Sequence, residues 1–509
     1  MSGEPAPAAG DFPLKIHTEN CGDCVFCVSV CPFEALKSDE KTKKVQLDKE
    51  KCKLCGLCYT SCPAGQIDVA YYDKGKLLDR LERTMGGNDA KTLVLACRGS
   101  EPRREAIVAE LGSDRFIELT LPCVGRLPMA FFLAAAEKGI EKIAIFSCEE
   151  DYCRFKKGAT AIGNTVTGAS VLLSDMGYPE DIITLKRGAH RVIPDTENRC
   201  ISCGNCVTMC PYQGVKLDSG AAKFDMALCK GCGICVAECP KMCLELQGSE
   251  SVKIAKEIAD FSSVAGGPKV ISFVCSWSEF TALDLADLTP NLKLVPLPCA
   301  GRVEMVDILS ALLNGIDGVL VVTCLDGECK QEKSGDKHAR RYEEKLRTHL
   351  KSVGISERVA VISASPKQMG RFKEGLEQFT AHIGNLGRLK LSDRQREALT
   401  IFKSVCMDVR IRWLFAREKE ILEKGNAYGE KVPAETWSRF VEEALADRLI
   451  QHSILHHARE RPMSPAELAK LVGLDPPVVL RHLIDLKRRN LIFMRHQHGQ
   501  QLFTARSEG

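Results

Sequence analysis

The chain has 509 residues, 45% of them hydrophobic and 27% charged, with Lys+Arg 70 against Asp+Glu 67 for a formal net charge of +3. That length exceeds what one hydrophobic core supports and calls for roughly three or more domains, while so even a charge gives no particular affinity for nucleic acid or a membrane surface. No apolar run reaches the roughly 18 residues that a bilayer span needs, and what stands out is a count of 26 cysteines.

Residues 1–13, MSGEPAPAAGDFP, are small, acidic and proline-rich, without the basic start and apolar run of a signal peptide. They read as a flexible leader. With no export signal a cytoplasmic setting is expected, where so many cysteines hold metal rather than form disulfides.

Residues 14–75 contain CGDCVFCVSVCP, which places Cys21, Cys24, Cys27 and Cys31 ahead of Pro32. CKLCGLCYTSCP follows, with Cys52, Cys55, Cys58 and Cys62 ahead of Pro63. Both runs are C-x2-C-x2-C-x3-C-P. Structural zinc ordinarily uses two separated C-x2-C pairs, not three cysteines in a row and then Cys-Pro. The segment closely resembles the bacterial two-cluster ferredoxins. The resemblance implies a ferredoxin-like module holding two [4Fe-4S] clusters, with each run lending its fourth cysteine to the other. One cluster would take Cys21, Cys24, Cys27 and Cys62; its neighbour would take Cys52, Cys55, Cys58 and Cys31.

Residues 76–195 change rhythm. KTLVLAC, FIELTLPC and EKIAIFSC are short apolar runs with β-branched residues, each ending in a cysteine, and read as strands. RLPMAFFLAAAEKG reads as a helix closed by glycine. Strands this apolar, alternating with helices, predict an α/β domain whose parallel sheet is covered on both faces. Ligands of such sheets gather at the carboxyl ends of the strands. Cys97, Cys123 and Cys148 therefore converge on one edge, joined by Cys153 from the loop CEEDYC. In LPCVGR, Gly125 is expected to let the backbone pass close to a cluster, and Arg126 to balance the cluster's negative charge.

The chain then repeats itself. Residues 196–250 carry CISCGNCVTMCP and CKGCGICVAECP. The same resemblance gives a second two-cluster module, with Cys200, Cys203, Cys206 and Cys239 in one set and Cys229, Cys232, Cys235 and Cys210 in the other. Residues 251–388 repeat the α/β plan in KVISFVC, LKLVPLPC, DGVLVVTC and CLDGEC, with the helix RVEMVDILSALLNG between them. Cys275, Cys299, Cys324 and Cys329 form the second thiol set, and LPCAGR supplies Gly301 and Arg302. Cys243 and Cys406 are left over and read as buried small hydrophobes.

Within residues 269–388, CSWSEF, LPCAGRVE, GIDGVLVVTCLDGEC, LKSVGISERVAVISAS and a final NLG occur in that order. This region resembles the delta subunit of methyl-viologen-reducing hydrogenase, and residues 91–195 are similar to it more loosely. The family is an iron–sulfur one that passes electrons to heterodisulfide-reductase-type complexes. The resemblance implies a [2Fe-2S] cluster on the four thiols of each α/β domain. The family usually has a further cysteine three residues after the first, where this chain has Ser278, and Ser100 in the first copy. Zinc on the same four cysteines is the competing reading.

Residues 389–450 read as charged amphipathic helices, and 451–509 as a winged helix-turn-helix. Ser464 caps a helix with Pro465 at its first position and Glu467 completing the capping box, and Gly473 ends it. DPPVVLRHLIDLKRRN makes a second helix, and LIFMRH and QLFTAR pair through QHGQ. Arg481, Lys487, Arg488 and Arg489 are the cations such a helix could offer DNA. Residues 475–509 hold a net charge of only +3, which favours a protein-docking role.

No P-loop, no G-x-G-x-x-G after a strand and no recognisable nucleophile–base pair appear, so no catalytic residue is assigned. The expected function is a multi-cluster electron-transfer subunit of a cytosolic anaerobic redox complex. It would link a hydrogenase, dehydrogenase or flavoprotein to a heterodisulfide-reductase-like, electron-bifurcating or simple, acceptor. The alternative is a redox-responsive DNA-binding regulator; one labile cluster suffices for sensing, so six argue against it.

Overall fold

The computed structural model describes the chain apart from residues 1–11, 87–88, 99, 101, 103, 277–290, 330–334, 369, 498–499 and 507–509. Ser278 and the centre of the QHGQ turn lie outside the described residues. No helix among those described is long and apolar enough to cross a membrane.

Two four-stranded parallel sheets form the bulk of the molecule. The first runs in the order Ile117–Leu121, Thr92–Cys97, Lys142–Cys148, Ile183–Gly188. The second runs Leu292–Leu297, Val270–Cys275, Gly318–Cys324, Val359–Ala364. Their central strands are mostly apolar because both faces are covered: Leu93 through Ala96 and Gly318 through Cys324 are all buried. The crossover helices Met129–Glu137 and Met305–Leu313 stop where expected, Gly139 and Gly315 taking left-handed φ of +93° and +82° just past their ends.

Each ferredoxin-type module is small, with a pair of two-stranded antiparallel ribbons and a short helix carrying the third cysteine of each run, the second module adding Thr196–Arg199. In the first, Leu14–Ile16 pairs with Ile67–Val69 and Leu36–Ser38 with Val45–Leu47. In the second, Val192–Pro194 pairs with Leu244–Leu246 and Val215–Asp218 with Ala221–Phe224. The strand Val192–Pro194 thus belongs with the second module although it precedes residue 196. Hydrogen bonding to a partner some fifty residues away sets this edge, which local sequence does not record.

The C-terminal part has helices Asp393–Cys406, Val409–Lys424, Ala434–Glu460, Pro465–Val472 and Pro476–Arg488, then an antiparallel pair, Ile492–Gln497 with Gln500–Ala505. The expected division at residue 450 falls inside one continuous 27-residue helix. The capping box of Ser464 and Glu467, Pro465 in the first turn and left-handed Gly473 all stand as read. One apolar core runs through both parallel sheets into the helices around Phe402, Phe415 and Trp437, whereas residues 454–505 close a small core of their own.

Candidate metal centres

The backbone of every C-x2-C-x2-C loop is wound in the same way. The residues just before and just after the second cysteine are left-handed: Asp23 and Val25, Leu54 and Gly56, Ser202 and Gly204, Gly231 and Gly233. Val25, β-branched at φ +50°, is the strained exception where the other three loops have glycine. The winding turns amides toward sulfur. Leu54 N–H donates to Cys52 Sγ at 3.5 Å and Ser202 N–H to Cys200 Sγ at 3.4 Å. Beyond the fourth cysteines, Ala35 N–H reaches Cys31 Sγ at 3.4 Å and Gln66 N–H reaches Cys62 Sγ at 3.3 Å. Such bonds favour thiolate over thiol.

The sixteen cysteines of these loops stand in four groups. Cys27 has Cys21, Cys62 and Cys24 as its electrostatic neighbours. Cys31, Cys52, Cys55 and Cys58 line a cavity of about 320 Å³. Cys200, Cys203, Cys206 and Cys239 line one of about 350 Å³, and Cys210, Cys229, Cys232 and Cys235 another of about 350 Å³. In each group the fourth cysteine comes from the opposite run. Burial, then the neighbouring thiols, pushes Cys55 up to about 11 and Cys206 and Cys232 up to about 12. Without metal these sulfurs are neutral, so a metal binding here must displace protons. Among the described residues no His, Cys, Asp and Glu side chains close on a single metal ion.

Strand ends bring the other eight together. Cys275 and Cys324, ending adjacent strands, have Sγ atoms 3.5 Å apart, and Cys329 hydrogen-bonds with both Cys324 and Cys299. In the first sheet Cys97 stands in the same relation to Cys123 and Cys148, with Cys153 beside Cys148. Val124 N–H donates to Cys97 Sγ at 3.3 Å and Gly301 N–H to Cys299 Sγ at 3.4 Å. Ser100, where the resembled family usually has cysteine, donates to Cys148 Sγ at 3.6 Å.

Two glycines without any mark in the sequence motifs complete these sites. Gly158 and Gly335 open the helices Gly158–Asp175 and Gly335–Val353. A Cβ on Gly158 would lie 2.6 Å from Cys123 Sγ, and one on Gly335 would overlap Cys299 Sγ. Gly125 and Gly301, expected beside the cluster, instead pack on these glycines: a Cβ on Gly125 would strike the Gly158 carbonyl, and one on Gly301 would lie 3.1 Å from Gly335 Cα. The signal was available, since both glycine pairs recur at the repeat spacing.

Arg126 and Arg302 are buried, at 1% and 0% exposure. Each lies over the glycine between the second and third cysteines of the second run in its own ferredoxin-type module. A Cβ on Gly56 would come within 3.0 Å of Arg126 Nε, and one on Gly233 within 2.8 Å of Arg302 Cδ. Burial draws the Arg126 guanidinium below its usual value, opposed by Cys123, Cys55, Tyr72 and Asp73 around it. Arg302 faces carboxylates: Glu304 at 3.1 Å and Asp307 at 3.7 Å, with Ser251 Oγ accepting at 2.9 Å. Glu304 is shared with Arg412 at 2.7 Å, and Arg412 also donates to the carbonyls of Ala237, Cys239 and Cys406.

Cys406 is a buried core residue as expected. Cys243 is more than that. Its Sγ lies 3.3 Å from Cys239 Sγ and it lines the same cavity as the Cys200 group. Its place four residues after Cys239 was the available sign; Gln66 stands at the corresponding place in the first module. In the C-terminal region, Arg489 is exposed but already paired, donating to Gln451 at 2.9 Å and lying 3.7 Å from Asp408.

Known families match the chain in these same segments. The family model described as methyl-viologen-reducing hydrogenase, delta subunit, matches residues 112–198 and 270–387. Models described as 4Fe-4S dicluster domains match 20–66 and 192–240. The iron-sulfur subunit of the F420-non-reducing hydrogenase of Archaeoglobus profundus is 36% identical over 129 residues, covering 24% of this chain and 93% of that protein. A subunit of the ferredoxin:CoB-CoM heterodisulfide reductase of Methanosarcina mazei is 26% identical over 405 residues, 73% of this chain and 49% of that protein. The chain thus spans about half the length of that larger relative. With the delta-subunit pattern present twice and nearly all of a 36% identical hydrogenase iron-sulfur protein covered, the chain belongs to the methyl-viologen-reducing hydrogenase delta-subunit family and carries 4Fe-4S dicluster domains alongside it.

Proposed function

We propose that the chain is an iron–sulfur electron-transfer subunit carrying four [4Fe-4S] clusters in its two ferredoxin-type modules and two [2Fe-2S] clusters at the strand ends of its α/β domains. The observation that carries this is the crossed cysteine grouping, with three thiol-lined cavities each formed by one run plus a fourth cysteine from the other. The donor chemistry fits: four sulfurs per group, amides directed at sulfur, and glycines at the two places where a Cβ would meet the Cys123 or Cys299 sulfur. A bound cluster would supply one-electron exchange at nearly constant geometry. The chain's own residues fix the sulfurs, shield them from water, and set the nearby charge.

The relatives' names, one from a hydrogenase and one from a heterodisulfide reductase, support a place in a cytosolic complex between a hydrogenase, dehydrogenase or flavoprotein and a heterodisulfide-reductase-type partner, bifurcating or not. In the domain plan that goes with this reading, residues 14–75 and 192–250 are the ferredoxin modules, 76–191 and 251–388 the α/β domains, and 389–509 the helical region with a winged helix. That winged helix serves docking. Leu480 and Ile484, on the outer face of its second helix, are 39% and 44% exposed, an apolar surface ill-suited to a DNA backbone.

Potentiometric titration of anaerobically isolated protein, followed by electron paramagnetic resonance, tests the proposal. Six one-electron centres are expected; a protein with zinc at the α/β sites would show only the four in the ferredoxin modules.

A further inference from the structure

The contacts between the two halves are reciprocal. From the first α/β domain, the loop Cys148–Arg154 reaches into the second ferredoxin-type module. Arg154 donates to the carbonyls of Lys230 at 3.3 Å and Pro298 at 3.2 Å, and Lys230 Nζ donates to the Asp151 carbonyl at 2.8 Å. A Cβ on Gly231 would lie 2.6 Å from Tyr152 Oη, so glycine is needed for the loop to seat. Arg154 is thereby placed where its charge acts on both Cys148 and Cys232, and Tyr152 is acted on by both Cys148 and Cys229.

The second α/β domain returns the contact. Its loop Cys324–Cys329 presents Glu328, which lies 3.0 Å from Lys367, and Lys367 donates to the Glu50 carbonyl at 2.8 Å. Lys53 is among the charges that hold the Glu328 carboxyl below its usual value. Glu50 and Lys53 flank Cys52, a member of the inner thiol group of the first module. A contact from each copy onto the other's equivalent module is what a two-fold relation between repeats produces.

Within each half, Arg126 over Gly56 and Arg302 over Gly233 already join the inner ferredoxin group to the α/β group, and Cys232 and Cys299 share one apolar cluster. We infer that four redox sites form a closed ring: the Cys52 group, the Cys97 group, the Cys229 group and the Cys275 group, in that order and back to the first. The Cys21 and Cys200 groups hang from the ring as outer spurs. This rests on the electron-transfer reading above and extends it. With clusters held by these cysteines, each edge would serve single-electron exchange between a reduced and an oxidised neighbour, with no bond made and no proton moved. The two spurs are then joined by two routes, so loss of one α/β site leaves the other route intact.

Two measurements on the full chain test the ring. A short amine-reactive cross-linker, read by mass spectrometry, should join Lys53 to Lys367 across the halves. In dithionite-reduced protein, the double variant Cys55→Ala, Cys58→Ala should lose spin-relaxation enhancement at both α/β signals, whereas two separate wires predict loss at one. Iron-loaded protein without the cross-link, or with only one α/β signal altered, overturns the ring and leaves the electron-transfer reading standing. A cross-linked protein that binds no iron overturns both.

Discussion

The two halves carry the same sulfur framework in different surroundings. In the first, the outer group opens to solvent: Cys24 is exposed and Phe26 beside it is 56% exposed. In the second, helix Val409–Lys424 packs on helix Asn205–Met209, and Arg417 reaches over Gly204 to the Cys203 carbonyl at 3.5 Å. The charges diverge too. Arg302 is neutralised by Glu304 and Asp307, while Pro128 stands in the place of Glu304 after LPCVGR and leaves thiols, Tyr72 and Asp73 around Arg126. Duplication fixes where sulfur goes; what is laid over each copy decides which end a partner can approach and how positive each site is.

Breaking the added cover should have the largest effect. Arg412→Ala leaves buried Glu304 facing Arg302 alone and frees three carbonyls, a loss of about 4 kcal/mol. Thermal scans should show a lower transition temperature for the body whose two sheets share one apolar core. Next comes the cradle. Gly335→Ala puts a methyl into Cys299 Sγ at a cost of about 2 kcal/mol, and the α/β signal of the second half should vanish; Gly158→Ala, whose Cβ lies 2.6 Å from its sulfur, should weaken its own signal less.

The arginines sharpen the contrast in charge. Arg126→Met should lower the potentials of the first-half sites by about 60 mV, a tenfold change in a one-electron equilibrium. Arg302→Met should shift its own sites by less, because the carboxylates already offset it. Spectroscopic titration of the two variants side by side reads the difference.

The smallest effect is one of pH. Burial holds His349 down to about 4 and His338 down to about 3, whereas the corresponding helix Gly158–Asp175 has no histidine. An unfolded chain takes up these protons from about pH 6.5 downward and the folded one does not, so stability falls as pH drops from about 6.5 toward 4. His349→Leu should remove on the order of 1 kcal/mol of that loss at about pH 5.5, measured as the pH dependence of unfolding in the second half.

Much of this was legible in sequence because metal ligation and strand apolarity are local. C-x2-C-x2-C-x3-C-P spans a single loop, and LVLAC or VLVVTC announces a covered strand ending in a thiol. What stayed hidden depends on distant partners. Arg126 and Arg302 read as charge partners of the strand-end thiols, but their burial over Gly56 and Gly233 of the ferredoxin-type modules has no local mark, and Gly158 and Gly335 look like ordinary helix starts until Cys123 and Cys299 arrive. Residue 450 reads as a boundary because the winged-helix pattern follows the charged amphipathic helices, yet helix Ala434–Glu460 runs through it on a buried stripe that includes Trp437, Val441 and Ile454.

The most direct test is the iron and acid-labile sulfide content of the chain isolated without air, with Mössbauer spectra to sort cluster types. Four cubanes and two binuclear clusters predict about twenty of each per chain. Iron well short of that, or zinc recovered in its place at the strand-end cysteines, would contradict the account.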